Sequence, residues 1–591
     1  MTRTFPQTLI AFLFGIFVLA TPSHSFAATT GGGACPSGAN YLDLNNPQNG
    51  GGQGSITLSS LGITSCYYIA ANGSDSNAGT SETAPWLHAP GMPACSGTCA
   101  SVNPAAGNGF IFRGGDTWHV SSGNPSTGGS WSWNQSGTSS APVYLGVDFN
   151  WSSGPSFARP IINEDNPITT SEPSGCPHPD DGTNRIDLSG ASHVIIDAFE
   201  EQGDCTSGGS SGNIFNIGAG THNIAERLYI HGWSIASSAG DDNHVALGNG
   251  NGNPSDNTNR LLFNVIDGSD STWGTQCTNA SCIQTIGGNS NGYATMWAVN
   301  TCWDVEYNVI RHTSQGMECG DASIVHDNLL EYLFNPAFGG RHGNVFEVTA
   351  SGFGNLCNNF IAYNNVTRNT VEGVNWWIQC PNYYVFNNVW ENSGHFAPDP
   401  NGLMLSPPGA SGSSAVTAYV FNNTFQANKA QAGPGNSATP SWASGSSITF
   451  ENNHIMDFTS IGGFFSCSSG DNCKVSDGGG EVFQTTAAAN SQGYTLSNDY
   501  APTSSSGATV GAGNSASSSF CGGVPDATAS AACAYGSGGG VLEQSGWGGK
   551  VASYPAIQPV QRTGAWDAGA YQFGTASAAP NPPTGLSAAV Q

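Results

Sequence analysis

The chain has 591 residues, with 40 Asp+Glu against 13 Lys+Arg and a formal net charge of −27. So acidic a chain lacks the clustered cations that phosphate binding needs, which argues against nucleic acid as a partner. Aromatics make up 10% and glycines number 81, which excludes a disordered acidic chain and suits a turn-rich, all-β protein.

Residues 1–27 read as a signal peptide: Arg3, an apolar run Leu9–Ala20, and an A-x-A-like exit at Ser25-Phe26-Ala27. That run is shorter than the about 20 residues a membrane span needs, and no later segment is long and apolar enough. The expectation is a secreted or cell-surface protein, monomeric and without membrane insertion. Sixteen cysteines, an even number, suit an oxidising compartment. Neighbour pairing is the simplest connectivity: Cys35–Cys66, Cys95–Cys99, Cys176–Cys205, Cys277–Cys282, Cys302–Cys319, Cys357–Cys380, Cys467–Cys473 and Cys521–Cys533.

Residues 28–108 are expected to form an N-terminal cap. Within them Asp75-x-Asn77-x-Gly79 looks like half of a calcium loop but lacks a distal Glu, so a turn held by Asx hydrogen bonds explains it.

From 109 to 499 one pattern recurs: RLLFNVID (260–267), DVEYNVIR (304–311), IVHDNLLE (324–331), IAYNNVTR (361–368), YVFNNVWE (384–391), YVFNNTFQ (419–426) and TFENNHIM (449–456). The aligned asparagines are Asn264, Asn308, Asn328, Asn365, Asn388, Asn423 and Asn453. Two upstream segments fit the same frame with Asp197 and Leu228 in the Asn slot. Short strands, polar turns and no helical period mark a solenoid, and variable loops between fixed strands suit a parallel β-helix. Asparagine tolerates the left-handed turn conformation, and stacked asparagines can bond along the axis. Spacings of about 20 residues are too short for the blades of a propeller.

Three further segments carry a resemblance. YYIAANGSDSNAGT (67–80) resembles a G-x-D-x-N-x-G-T opening, GFIFRGGDTW (109–118) an entry strand, and WDAGAYQF (566–573) a D-x-G-A-Y-E-F ending with Gln572 in place of Glu. The chain is therefore similar to secreted bacterial proteins of the right-handed parallel β-helix (pectate-lyase-like) superfamily. The resemblance implies a right-handed parallel β-helix with N- and C-terminal caps, the latter over 500–574. Residues 575–591 resemble a linker and the start of a fibronectin type III module. The superfamily holds lyases, hydrolases and non-catalytic proteins, so fold leaves function open.

Chemistry has three candidate locations. Three residues after the ladder position stand Glu200, His231, Asp267, Arg311, Glu331, Arg368, Glu391 and Gln426, which should stack on one outward face. Both a structural ion-pair ladder and a sugar-binding groove fit the alternating charge. GDDNHVALGNG (240–250) is similar to the G-D-D stretch of polygalacturonase-type hydrolases, making Asp241 and Asp242 candidate acid and base, although G-H-G and R-I-K segments are absent. The band HTSQGMECGD (312–321) with GGRHGNVFEV (339–348) offers His312, Arg341 and His342 as candidate catalytic groups for β-elimination. Glu318, Asp321 and Glu347 are its candidate calcium ligands, calcium being the one cofactor considered. VNWWIQ (374–379) adds Trp376 as a platform for a pyranose. Two functions are thus expected: an enzyme or binder acting on extracellular polysaccharide, a lyase or glycoside hydrolase if catalytic, or a structural or adhesion-type solenoid.

Overall fold

A computed structural model describes residues 31–574, apart from 48–51, 121–129, 170, 172, 180–184, 189, 207–212, 219, 237–242, 249–257, 272–294, 314, 334–344, 349–358, 371–373, 378–380, 394–402, 407–414, 427–443, 466–473, 516–517, 539–541, 547–548 and 554–558. Within them the chain is a parallel β-helix whose coils lay short strands on three faces. The first face holds the ladder-motif strands, each paired in parallel with the next, from Ser65–Ile69 and Asn108–Gly114 to Ser447–Glu451 and Lys474–Asp477. The second is twelve-stranded, from Thr117–His119 to Val482–Gln484. The third runs from Trp131–Ser132 to Leu403–Ser406. Two 12-residue strands, Thr295–Glu306 and Gln315–His326, belong to the third and first faces at once. Parallel neighbours need a crossover between them, and each coil supplies it. The strand Ser65–Ile69 lies within 28–108, so that region also contributes the first rung.

Alternation puts every second residue inside. On the second face Ile230, Ile266, Ile310, Leu330, Thr367, Trp390 and Phe425 stand in register and are buried. Their outward neighbours on the C-terminal side, described below, are polar, while those on the N-terminal side, Val265, Val309, Leu329, Val366 and Val389, form a second buried apolar column.

The corner between the first and second faces carries the asparagine ladder. Each Oδ1 accepts from the backbone N–H and the Nδ2 of the asparagine one coil earlier, at 3.1 and 2.9 Å from Asn328 to Asn365 and 3.0 and 2.9 Å from Asn365 to Asn388. All seven asparagines are buried. Left-handed tolerance does not explain them, however. The residue of positive φ is the one before: Phe263 (54°), Tyr307 (60°), Asp327 (55°), Asn364 (57°), Asn387 (57°), Asn422 (55°) and Asn452 (59°). In an NN pair the first asparagine makes the turn and the second makes the ladder. Register also corrects one assignment. Asp197 lies opposite Glu226, so the slot in that coil belongs to Phe199. Leu228 does occupy it, and its N–H donates to Asn264 Oδ1 at 3.0 Å, starting the ladder.

The terminal segments cover opposite ends of the first face's exterior. Near the N-terminus, Asn40 and Leu44 carbonyls accept from Arg227 and Arg260 Nη1, both at 2.7 Å. Near the C-terminus, helices Ser518–Cys521 and Ala527–Cys533 with Trp566 pack on Tyr363, Phe386 and Phe421. The closing motif is a clasp. Arg562 Nη2 donates to the carbonyls of Gly569 and Ala570 and to Asn387 Oδ1. Gly569 has φ 92°, and a Cβ there would meet Thr424 Oγ1 at 2.8 Å, so only glycine lets the strand approach so closely. In the opening motif, Asp75 takes hydrogen bonds from the N–H groups of Leu87, His88 and Ser96, so its carboxylate ties segments 12 to 21 residues away and is not the acceptor of a local Asx turn.

Four expected disulfides are present: Cys35–Cys66, Cys95–Cys99, Cys176–Cys205 and Cys521–Cys533. Cys319 is also disulfide-bonded and stands opposite Cys302 in register. Cys277, Cys282, Cys357, Cys380, Cys467 and Cys473 lie outside the described residues. No described helix is long and apolar enough to cross a membrane.

Candidate functional site

The outward row of the second face runs in register through Gln202, His231, Asp267, Arg311, Glu331, Arg368, Glu391 and Gln426. The charged column expected from the repeat frame therefore exists from His231 onward, and Glu200 stands one outward position earlier, opposite Tyr229.

At one end the His231 imidazole lies between two carboxylates, Nε2 at 3.1 Å from Glu200 and Nδ1 at 2.7 Å from Asp270. Burial alone would lower its pKa, but the hydrogen bonds to Asp270 and Glu200 outweigh it and push it up to about 9. Tyr229 stacks on the ring at 4.1 Å. One rung on, Asp267 is buried, and burial would raise its pKa. Hydrogen bonding from His312 Nδ1 (2.9 Å) and the Arg311 guanidinium (Nε 2.8 Å) instead hold it well below the usual carboxylate range. His312, at the next corner with φ 54°, stacks on Tyr332 at 5.2 Å. Arg311 Nη1 lies 3.6 Å from Glu331.

Beyond Glu331 the chain covers the row itself. Arg368 pairs with Glu391 (3.1 Å) and with Asp499, and Tyr571 Oη donates to Asp499 at 3.4 Å. Burial holds the Glu391 pKa well above normal, with Arg368 opposing it. The strand Gly549–Ser553 also passes alongside Tyr229–His231 and Val265–Asp267. Of this part of the row only the Asp270 side chain is open to solvent, at 40%; Glu200, Arg311 and Glu331 are 13–14% exposed and His231 is buried.

The other candidates are placed elsewhere. His312 joins Asp267 and Arg311, whereas Asp241, Asp242, Arg341 and His342 lie outside the described residues. Glu318 and Glu347 stand opposite each other on the third face, and Asp321 follows in the same long strand as Glu318. Their side chains are outside the description. Trp376, opposite Leu405, is also on the third face, so it does not share the His231–Glu391 row. Asp270 and Tyr332 were not anticipated. Asp270 comes from a loop outside the repeat frame, and Tyr332 from the corner after the strand.

One set of described residues has metal-ligand geometry: Asp304, Glu306 and His326 on the first face. Its signal was visible two and four residues before the ladder asparagines, in RLLFN, DVEYN and IVHDN.

No protein-family model matches the chain, and no curated protein matches it by sequence. Among solved structures it is similar to a GH136 lacto-N-biosidase from Eubacterium ramulus, with TM-score 0.39 and 12% identity over 71% of this chain and 68% of that one. It is also similar to a rhamnogalacturonan lyase, with TM-score 0.33 and 15% identity over 70% and 87%. For pectate lyase Pel9A the TM-score is 0.30, with 14% identity over 76% and 91%.

Proposed function

We propose that the protein engages an extracellular polysaccharide along the second face, from Glu200 to Glu331. The carrying observation is the row itself: His231, Asp267, Arg311 and Glu331 on four successive rungs. Rungs are about 4.8 Å apart, so an extended sugar chain lying along the axis passes Glu200, Asp270, Arg311 and Glu331, with His231 and Asp267 buried beneath them and Tyr229 and Tyr332 as flanking rings. If cleavage occurs, His231 is the proton donor once substrate takes the place of Glu200 or Asp270 on one ring nitrogen. Its raised pKa keeps it protonated at neutral pH, next to Glu200 and the more exposed Asp270, which can take a proton in return. Arg311 is the described cation for a developing negative charge.

A non-catalytic solenoid is the second reading, and one observation favours it. Asp267, Arg311 and His312 already satisfy one another within the row.

The test is incubation of the purified protein with plant and bacterial polysaccharides, with Ca²⁺ and with EDTA. Unsaturated ends, read by ultraviolet absorbance, report elimination, and new reducing ends report hydrolysis. The expected result is product release, or retention on a polysaccharide gel, that His231→Gln abolishes. Folded protein that neither cleaves nor binds any polymer would overturn the proposal in favour of the structural solenoid.

A further inference from the structure

The first face's exterior is covered by the N-terminal segment up to Arg260 and by the C-terminal helices from Ile361 onward. Between these covers sit Arg260, Asp304, Glu306, His326 and Asp327. Register explains the gathering: Arg260 stands opposite Asp304, and Glu306 opposite His326.

The orientation of each group is fixed from outside. His326 Nδ1 faces Asp327 Oδ2 at 2.8 Å, Asn364 Nδ2 donates to the same carboxylate, and Tyr363 stacks on the ring at 4.5 Å. With Nδ1 held by a carboxylate, the imidazole presents Nε2 inward, the arrangement that orients a metal-binding histidine. Arg260 takes the far oxygens, its Nε at 3.2 Å from Asp304 Oδ2 and its Nη2 on Glu306 Oε1, while its Nη1 is tied to Leu44. The near oxygens are left facing Nε2, Asp304 Oδ1 at 3.6 Å and Glu306 Oε2 at 3.3 Å. Those separations exceed the 2.7–2.9 Å or so of a charge-assisted hydrogen bond. Asp304 Oδ1 is buried and accepts no hydrogen bond among the described residues.

Three ligand atoms each about 2.1 Å from a tetrahedral zinc ion lie about 3.4 Å from one another; the two separations from Nε2 are 3.6 and 3.3 Å, and all three ligand atoms lie within 4.8 Å of one another. We propose that Asp304 Oδ1, Glu306 Oε2 and His326 Nε2 form a binding site for a divalent transition metal of the zinc class. Arg260 and Asp327 act as positioning residues. The nitrogen donor selects against calcium and magnesium. The Asp304 side chain is 26% exposed although its Oδ1 is buried, so a water or another ligand that completes the shell enters past this side chain. The site is independent of the polysaccharide reading and fastens the N-terminal segment, through Arg260, to the coils.

The experiment strips the full-length chain with chelator and titrates it with Zn²⁺, Mn²⁺ and Ca²⁺, following bound metal and the thermal midpoint. The expected result is one Zn²⁺ per chain, a raised midpoint, and at least tenfold weaker Zn²⁺ binding in Asp304→Asn and in Glu306→Gln. Co²⁺ in the unmutated protein should show the absorption of a tetrahedral site, and Zn²⁺ should shift the His326 ¹⁵N resonance. If Glu306→Gln does not fold, the partly exposed Asp304→Asn and the Co²⁺ spectrum decide. No stoichiometric Zn²⁺, a preference for Ca²⁺, or unchanged affinity in Asp304→Asn would overturn the proposal.

Discussion

Two columns run along this molecule, each contributing one residue per coil: the asparagine ladder at the corner and the charged row on the second face. The ladder is neutral and buried, and continues through seven coils because an amide both donates and accepts. Any Asn can therefore follow any other. The charged row cannot repeat one residue type. It alternates sign, borrows Asp270, His312 and Asp499 from outside the frame, and is partly open to solvent. A self-complementary column builds a rod, whereas one that needs outside partners leaves sites where a ligand can compete. Asn388→Ala attacks the first column and carries the largest expected effect. It strands the Asn365 N–H and one Nδ2 hydrogen, the other still reaching the Val325 carbonyl, and takes a donor from the Ala362 carbonyl. Unmade buried hydrogen bonds cost roughly 1–3 kcal/mol each, so a loss of about 3 kcal/mol after relaxation is expected by urea unfolding. A loss below about 1 kcal/mol would mean that water replaces the rung.

Arg311→Met tests the second column and should cost less, about 2 kcal/mol, because His312 and the Ser269 N–H still hold Asp267. A double-mutant cycle with Asp267→Asn should return part of that loss as coupling energy. Additive losses would show that the row is a set of independent surface charges.

How far each column was legible follows from the same contrast. The ladder could be read because its frame repeats in every coil, and the offset of three placed Asp267, Arg311, Glu331, Arg368 and Glu391 on one face. The turn was misread by one residue because NN hides which asparagine bends; FN, YN and DN show that the first position does. Asp270, Asp499 and Tyr571 could not be read, since loops and a distant segment carry no period. Asp304, Glu306 and His326 stand at regular offsets in the sequence, but only the register of the strands shows that those offsets face outward as one group.

The row should also respond to pH through His231. Its pKa is raised by Asp270 and Glu200 to about 9, so the stability its proton contributes is complete below about pH 6.5. That stability is lost as pH rises through about 9. Asp270 is 40% exposed, which screens the pair, so about 1–2 kcal/mol is expected between pH 6 and pH 10. Thermal midpoints should fall over that window in the natural chain and stay flatter in His231→Gln.

The last test lies where the amide ladder ends on an ionisable residue. Past Asn453 the amide ladder ends on Glu481, whose carboxyl accepts from the Asn453 N–H and, at 3.3 Å, from its Nδ2. Burial pushes that carboxyl up to about 8, against the opposing Asn453 hydrogen bonds. In the unfolded chain it titrates near 4.3. The folded state therefore keeps a proton that the unfolded state has released, and stability falls as pH rises from about 4 through about 8. Glu481→Gln puts an amide where the ladder already uses one, keeps the acceptor and removes the charge. It should match the natural protein at pH 4 and be the more stable of the two at pH 9 in equilibrium unfolding. If Glu481→Gln is instead less stable at pH 9, the ladder's end requires the carboxylate's stronger acceptance, and the division between a neutral rod and a charged row fails at its terminus.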